Sequence, residues 1–134
     1  MRPNGSVKSE RNGIVIFDTN ILIYLSNYTL SPEKLFLKHA SISVITKIEA
    51  LGFAFKNAEE HDLIVKLCNE LSIIHLNDAI VEATINIRRA NRIKLPDAVI
   101  YATALVQQQP LLTHNVADFK SIDNKVELID PFAL

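Results

Sequence analysis

The chain has 134 residues, 49% of them hydrophobic and 22% charged, the size and make-up of one packed domain and not of a disordered chain. Fourteen basic residues stand against fifteen acidic ones, a formal net charge of −1, so any nucleic-acid contact must rest on a local patch and not on a global basic bias. One cysteine, Cys68, can close no internal disulfide and anchors no cysteine zinc site, and a reducing, cytoplasmic home is the default expectation.

Arg2, Lys8 and Arg11 precede an apolar stretch from Ile14 to Leu25, but Asp18-Thr19-Asn20 interrupts it where the apolar core of a signal peptide would lie. No other apolar run approaches the ~20 residues of a membrane span. A soluble chain without membrane association is expected. Residues 1–12 are polar and aperiodic and read as a flexible leader, with a single domain over residues 13–134.

The elements alternate. Ile14–Phe17 is a short continuous apolar run, the pattern of a strand buried on both faces, and a helix should follow over Thr19–Ser26. Ser31-Pro32-Glu33 reads as a cap with proline at the first helical position, opening a short helix to about His39. Ser41–Ile45 is a second strand. Thr46-Lys47-Ile48-Glu49 has capping-box spacing and predicts a helix through about Asn57. Glu59, Glu60 and Asp62 suit the first turn of the next helix, which runs to Leu71 with Leu63, Leu67 and Leu71 at four-residue spacing. Ile73–Leu76 is a third strand, and Asn77 or Asp78 caps a helix to about Asn91. Leu95-Pro96-Asp97 opens a further helix to about Gln108, apolar nearly all round and therefore deeply buried. Pro110–Thr113 and Val126–Ile129 complete the strands. Only three glycines are present, too few for an all-β meander of tight turns. Strands alternating with helices predict an α/β fold, a three-layer α/β/α sandwich around a mostly parallel five-stranded sheet.

Ligands of such a sheet bind beyond the carboxyl ends of its strands. The first strand delivers Asp18 to that edge, the second leads to Glu49, and the fourth leads through Thr113-His114-Asn115 to Asp118. Asp97, at the start of the buried helix that returns to the fourth strand, arrives at the same edge. Each has an ordinary structural alternative. Asp18 is suited to cap the first helix, Glu49 to complete the capping box begun by Thr46, Asp97 to complement a helix dipole, and Asp118 to cap a short turn. Convergence favours a site, because carboxylates a few ångströms apart repel by ~4 kcal/mol per pair at an effective dielectric of 20. A hard divalent cation relieves that repulsion and prefers oxygen ligands.

With no paired His or Cys nearby, the cluster suits Mg²⁺ or Mn²⁺ and not zinc. Such ions polarise phosphoryl oxygens and activate water, so hydrolysis of a phosphate ester is the chemistry implied. An aspartyl-phosphate phosphatase also begins with an apolar strand ending in Asp, but it needs a second Asp two residues on, where Asn20 stands. A response-regulator receiver needs a carboxylate pair beside the strand-end Asp, for which the sequence offers no good candidate.

Ile14-Val15-Ile16-Phe17-Asp18-Thr19-Asn20-Ile21-Leu22-Ile23-Tyr24-Leu25 is very similar to the first motif of PIN-domain ribonucleases of the VapC toxin type. Ser43-Val44-Ile45-Thr46 followed by Glu49-Ala50-Leu51-Gly52 resembles the second, Leu95–Ala104 around Asp97 the third, and Leu112–Phe119 around Asp118 the fourth. The ending Leu128-Ile129-Asp130-Pro131-Phe132 has the family's look as well. The resemblance spans residues 14–132 with the motifs in family order. It implies Mg²⁺- or Mn²⁺-dependent cleavage of RNA, with Asp18, Glu49, Asp97 and Asp118 shaping the metal site. It also implies that Thr113 and Asn115 orient the site from its edge, and Asn20, within the opening motif, is placed with them. The partners implied are a second copy of the chain, as a homodimer, and a cognate antitoxin covering the active site. The family often has Arg where His114 stands here.

Arg88, Arg89, Arg92 and Lys94 form a basic cluster just before Asp97. A solvated helix face accounts for it equally well, but its nearness to Asp97 favours contact with RNA phosphates. Cys68 reads as a small buried apolar residue and His75, in an apolar strand, as a core histidine. The alternative from another functional class is a catalytically silent PIN-fold module that binds RNA or supports an assembly.

Overall fold

The computed structural model describes residues 14–35, 39–53, 55 and 57–133. The polar leader expected over residues 1–12 lies outside them. Strands β1 (Val15–Phe17), β2 (Ala40–Ser43), β3 (Ser72–Ile74), β4 (Leu111–Leu112) and β5 (Leu128–Ile129) form one sheet in the order β3-β2-β1-β4-β5. Every pairing is parallel. The helices are α1 (Thr19–Ser26), α2 (Val44–Leu51), α3 (Ala58–Glu70), α4 (Asp78–Ala90), α5 (Leu95–Gln107) and a short α6 (Val116–Lys120).

Parallel strands are tied by crossovers that cover both faces of the sheet. Successive β1 side chains point to opposite faces, and the core divides accordingly. Val15 and Phe17 join a cluster built with Ile21, Leu22, Ile64 and Cys68 of α1 and α3, whereas Ile16 joins one built with Ile80, Ile87 and Ile100 of α4 and α5. The three-layer α/β/α architecture expected from the sequence is the one observed. Residues Ala98–Ala104 of α5 are all buried, as that helix's apolar surround requires. Cys68 is a buried free thiol.

Local chemistry sets most boundaries. Asn57 Oδ1 accepts from Glu60 N at 2.9 Å to cap α3, and Asn77 Oδ1 accepts from Ile80 N at 2.8 Å to cap α4. Pro96 falls in the first turn of α5, where its missing N–H costs nothing.

Four expectations need correction. The capping box at Thr46 does not exist: α2 begins at Val44, Ser43 caps it by accepting from Ile45 N at 3.1 Å, and Thr46 lies within its first turn. That helix ends at Leu51, short of Asn57, because the chain must turn before α3 can start on its own cap. The helix expected from Ser31 to His39 is a single 3₁₀ turn over Pro32–Lys34, with residues 36–38 outside the described residues. His75 is exposed, not a core residue, because β3 is an edge strand that stops at Ile74.

Candidate active site

The strand order reverses between β1 and β4: from β1 the chain moves outward through β2 to β3, then crosses back to β4 on β1's other side. A crevice opens at the carboxyl ends of strands flanking such a reversal. Asp18 follows β1 directly and Thr113 follows β4 directly, so both stand at its mouth. A cavity of about 570 Å³ lies there, and Asp18, Glu49, Asp97 and Asp118 all line it. Asn20 and Asn115 line it too, as do Arg92 and Lys94.

Asp18 is only 5% exposed. It occupies the N-cap position of α1 but its side chain makes no capping bond. Instead its Oδ2 accepts the Thr113 hydroxyl at 2.7 Å. Thr113 Oγ1 in turn accepts the Asn115 backbone N–H at 2.9 Å, which directs the single hydroxyl proton at the carboxylate. Thr113 is itself fixed, since its N–H continues the sheet ladder to Ile129 O at 2.9 Å. Burial pushes the Asp18 carboxyl above its ordinary value, partly offset by the Thr113 hydroxyl.

Glu49, one turn beyond Thr46 on α2, is held by a second hydroxyl. Thr19 Oγ1 donates to Glu49 Oε1 at 2.7 Å and lies 3.1 Å from Thr46 Oγ1. With the Thr19 proton on the carboxylate, the Thr46 hydroxyl is left to donate to Thr19. The capping-box spacing therefore marked a tertiary relay. Thr19 and Thr46 are the site residues that sequence reading missed. The available signals were the position of Thr19 next to Asp18 and the i,i+3 spacing of Thr46 and Glu49 on one helix face.

Asp97 is half-buried in the first turn of α5. Burial raises its carboxyl above the ordinary range, and the negative charges of Asp18, Glu49 and Asp118 push the same way, with Lys94 opposing them. Asp118 is exposed on α6. Among the described residues no three His, Cys, Asp or Glu side chains form a group able to hold a metal ion by themselves. Only Asp18 of the four is fully buried; the other three keep solvent access.

The basic cluster divides. Arg92 and Lys94 reach the acidic cavity, while Arg88 and Arg89 line an adjoining groove of about 410 Å³ over Ile85 and Ile93, with Arg92 common to both. His114 faces away from the carboxylates. Its Nδ1 lies 3.1 Å from Asp130 Oδ1, and its ring packs edge-on against Phe132 and Tyr24.

A sequence profile described as PIN domain matches residues 15–125, most of the chain and all four carboxylates. The chain belongs to the PIN-domain family. Among solved structures, this PIN-domain chain is 30% identical to a chain of a toxin–antitoxin complex from Klebsiella pneumoniae, over 87% of its own length and 97% of the other's, with a TM-score of 0.70. DNA-bound VapBC from Salmonella typhimurium matches at 19% identity over 87% and 97% of the two chains, with a TM-score of 0.74. VapBC2 from Rickettsia felis, bound to a fragment of its promoter DNA, matches at 22% over 86% and 96%, with a TM-score of 0.72. The last two likenesses are of fold. Comparison with curated proteins gives no match. No helix among the described residues is long and apolar enough to cross a membrane.

Proposed function

We propose that this PIN domain is a Mg²⁺- or Mn²⁺-dependent endoribonuclease and the toxin of a toxin–antitoxin pair. The observation that carries the reading is one cavity lined by four carboxylates; the Asp97 carboxyl there is raised first by burial and then by the charges of Asp18, Glu49 and Asp118. The donor set fits the ion. Mg²⁺ retains several waters and is typically held by one or two carboxylates together with substrate phosphate oxygens, not by an all-protein cage. An open rim of oxygen donors without a closed three-ligand group suits that habit. Asp18, oriented by Thr113, and Asp97 are the proposed principal ligands, with Glu49 and Asp118 completing the rim.

A bound ion would polarise a phosphoryl oxygen and make a neighbouring water more acidic. The carboxylates left free would orient a water and take its proton as its oxygen bonds to phosphorus, and the oxygen that leaves as the phosphodiester P–O bond breaks would take up a proton from solvent. Arg92 and Lys94 hold the scissile region of the RNA, and Arg88 and Arg89 in the adjoining groove hold the strand further along, as phosphate contacts without sequence preference. Asn20 and Asn115 offer neutral hydrogen-bonding groups at the cavity wall.

The antitoxin is the proposed protein partner, in view of the Klebsiella complex. A second copy of the chain is the other proposed partner.

The alternative reading is a silent RNA-binding module that keeps the acidic cavity and its basic rim without cleaving. Incubating RNA with wild type and Asp97→Asn in Mg²⁺ or Mn²⁺ separates the two readings. The nuclease reading expects cleavage by wild type that EDTA abolishes and the variant loses. RNA bound but uncleaved by wild type would leave the module.

A further inference from the structure

Asp97 and Asp118 lie on different elements, α5 and α6. Among the described residues neither side chain takes a hydrogen bond from another side chain, unlike Asp18 and Glu49. Their separation is left to whatever joins the two elements. Tyr101 stands one turn beyond Asp97 on the same face of α5. Its ring stacks on Phe119, the neighbour of Asp118, with centroids 6.0 Å apart and planes 10° from parallel. Both rings are only 1% exposed. The Tyr101 hydroxyl donates to Asp123 Oδ1. Asp123 belongs to the turn after α6, which is closed by Asn124 in the left-handed region and by Lys125 N donating to the same Oδ1 at 3.0 Å. Ser121 and Ile122, at the start of that turn, line the acidic cavity, and Phe119 lines both that cavity and a smaller one behind it where Tyr101 lies.

We infer that Tyr101 and Asp123 are a positioning pair that fixes α6 against α5, and with it the spacing of Asp97 and Asp118 across the cavity. Neither touches substrate or metal. The stack sets how closely the two elements approach, and the hydrogen bond stops α6 from sliding along the ring, because a stack alone is tolerant of lateral offset. The phenol is suited to a permanent tie: burial and the adjacent Asp123 push its pKa up to about 12, so it stays a donor throughout the working range.

The inference rests on the divalent-ion reading of the cavity, and the test keeps the two apart. Mn²⁺ is titrated calorimetrically into wild type, Tyr101→Phe, Asp123→Ala, Asp123→Asn and the Tyr101→Phe/Asp123→Ala double variant, and each is melted in EDTA. Tyr101→Phe keeps the ring and the net charge and loses only the hydroxyl. Tyr101→Phe and Asp123→Ala should each bind Mn²⁺ about tenfold more weakly, the effect typical of groups that orient ligands from behind. The double variant should be no weaker than Asp123→Ala alone, because the bond that Tyr101→Phe removes is already gone there. Asp123→Asn, which keeps an acceptor oxygen, should stay near wild type. A lower melting temperature for Tyr101→Phe in EDTA with unchanged Mn²⁺ affinity would overturn the inference and leave the metal reading standing, since the pair would then be packing alone. Asp123→Asn as weak as Asp123→Ala would overturn the hydrogen bond as the tie. No Mn²⁺ binding by wild type would overturn the metal reading, and the inference with it.

Discussion

The two halves of the acidic cavity are built differently. On the β1 and α2 side, Asp18 and Glu49 each accept a threonine hydroxyl, and each hydroxyl is itself oriented by a further partner. On the α5 and α6 side, Asp97 and Asp118 are placed by the backbones that carry them. A carboxylate held by a directed hydroxyl is fixed in rotation as well as position, so the first half is set before any ligand arrives. In the second half the Tyr101–Asp123 pair ties the backbones, and it is the two carboxylate side chains, with no hydrogen bond from another side chain among the described residues, that are free to turn, Asp118 being exposed on a short helix. For the proposed role of accepting an ion together with a flexible phosphate chain, this division would be an advantage: one side defines the geometry and the side chains of the other close on it.

Removing a carboxylate from the adjustable half should have the largest effect. Replacing groups behind a metal's ligands typically costs 10–100-fold, so Asp97→Asn, which alters a proposed ligand itself, should lower the rate of RNA cleavage by more than about 100-fold. The loss is read in single-turnover assays at saturating Mn²⁺. In EDTA the same variant should be more stable than wild type, because a half-buried carboxylate repelled by the neighbouring negative charges becomes neutral.

Breaking the fixed half should come next. Thr113→Val removes a buried hydroxyl from a charged acceptor, which should cost roughly 1.5–3 kcal/mol in denaturant unfolding. Thr19→Val, at a half-buried site, should cost less, about 1 kcal/mol. Equal effects from the two would argue against Asp18 as the more tightly held carboxylate.

Acidity sharpens the contrast further. The carboxyls of Asp18 and Asp97 are both raised, chiefly by burial, so the fold favours their protonated forms. Their contribution to stability is complete below the ordinary value of 3.8 and is lost as pH rises through the raised values. Metal-free wild type should therefore lose stability relative to Asp97→Asn as pH climbs from 3.8, in paired unfolding curves. Parallel curves would contradict the assignment. The smallest effect belongs to the basic rim, where Arg92→Ala should weaken RNA binding and reduce the slope of log affinity against log salt by about 1.

The legible parts of the site were those carried by element ends. Asp18 closes an apolar strand and Asp97 opens an apolar helix, so topology alone sends both to one sheet edge. The five-stranded sheet and its two helical layers followed from the same alternation, although every strand pairing is parallel where a mostly parallel sheet was expected. The hydroxyl network was hidden because its contacts are tertiary: Thr113 reaches Asp18 across 95 residues and Thr19 reaches Glu49 across 30. Thr46-Lys47-Ile48-Glu49 was misleading for a physical reason. A spacing of three brings the two side chains to one helix face whether Thr46 caps the helix or sits within it, and the hydroxyl of Ser43 took the cap. His114 adjoins Thr113 in sequence but leaves the site, because consecutive residues at a strand end point to opposite sides.

The central claim, that the four carboxylates form a divalent-cation site, is tested most directly by thermal unfolding of wild type and Asp18→Asn across a Mn²⁺ titration. An ion present at about 100 times its Kd stabilises a fold by ~2.7 kcal/mol. The melting temperature should climb with Mn²⁺ in wild type and scarcely move in Asp18→Asn. A flat response in wild type, or an equal rise in both proteins, would contradict it.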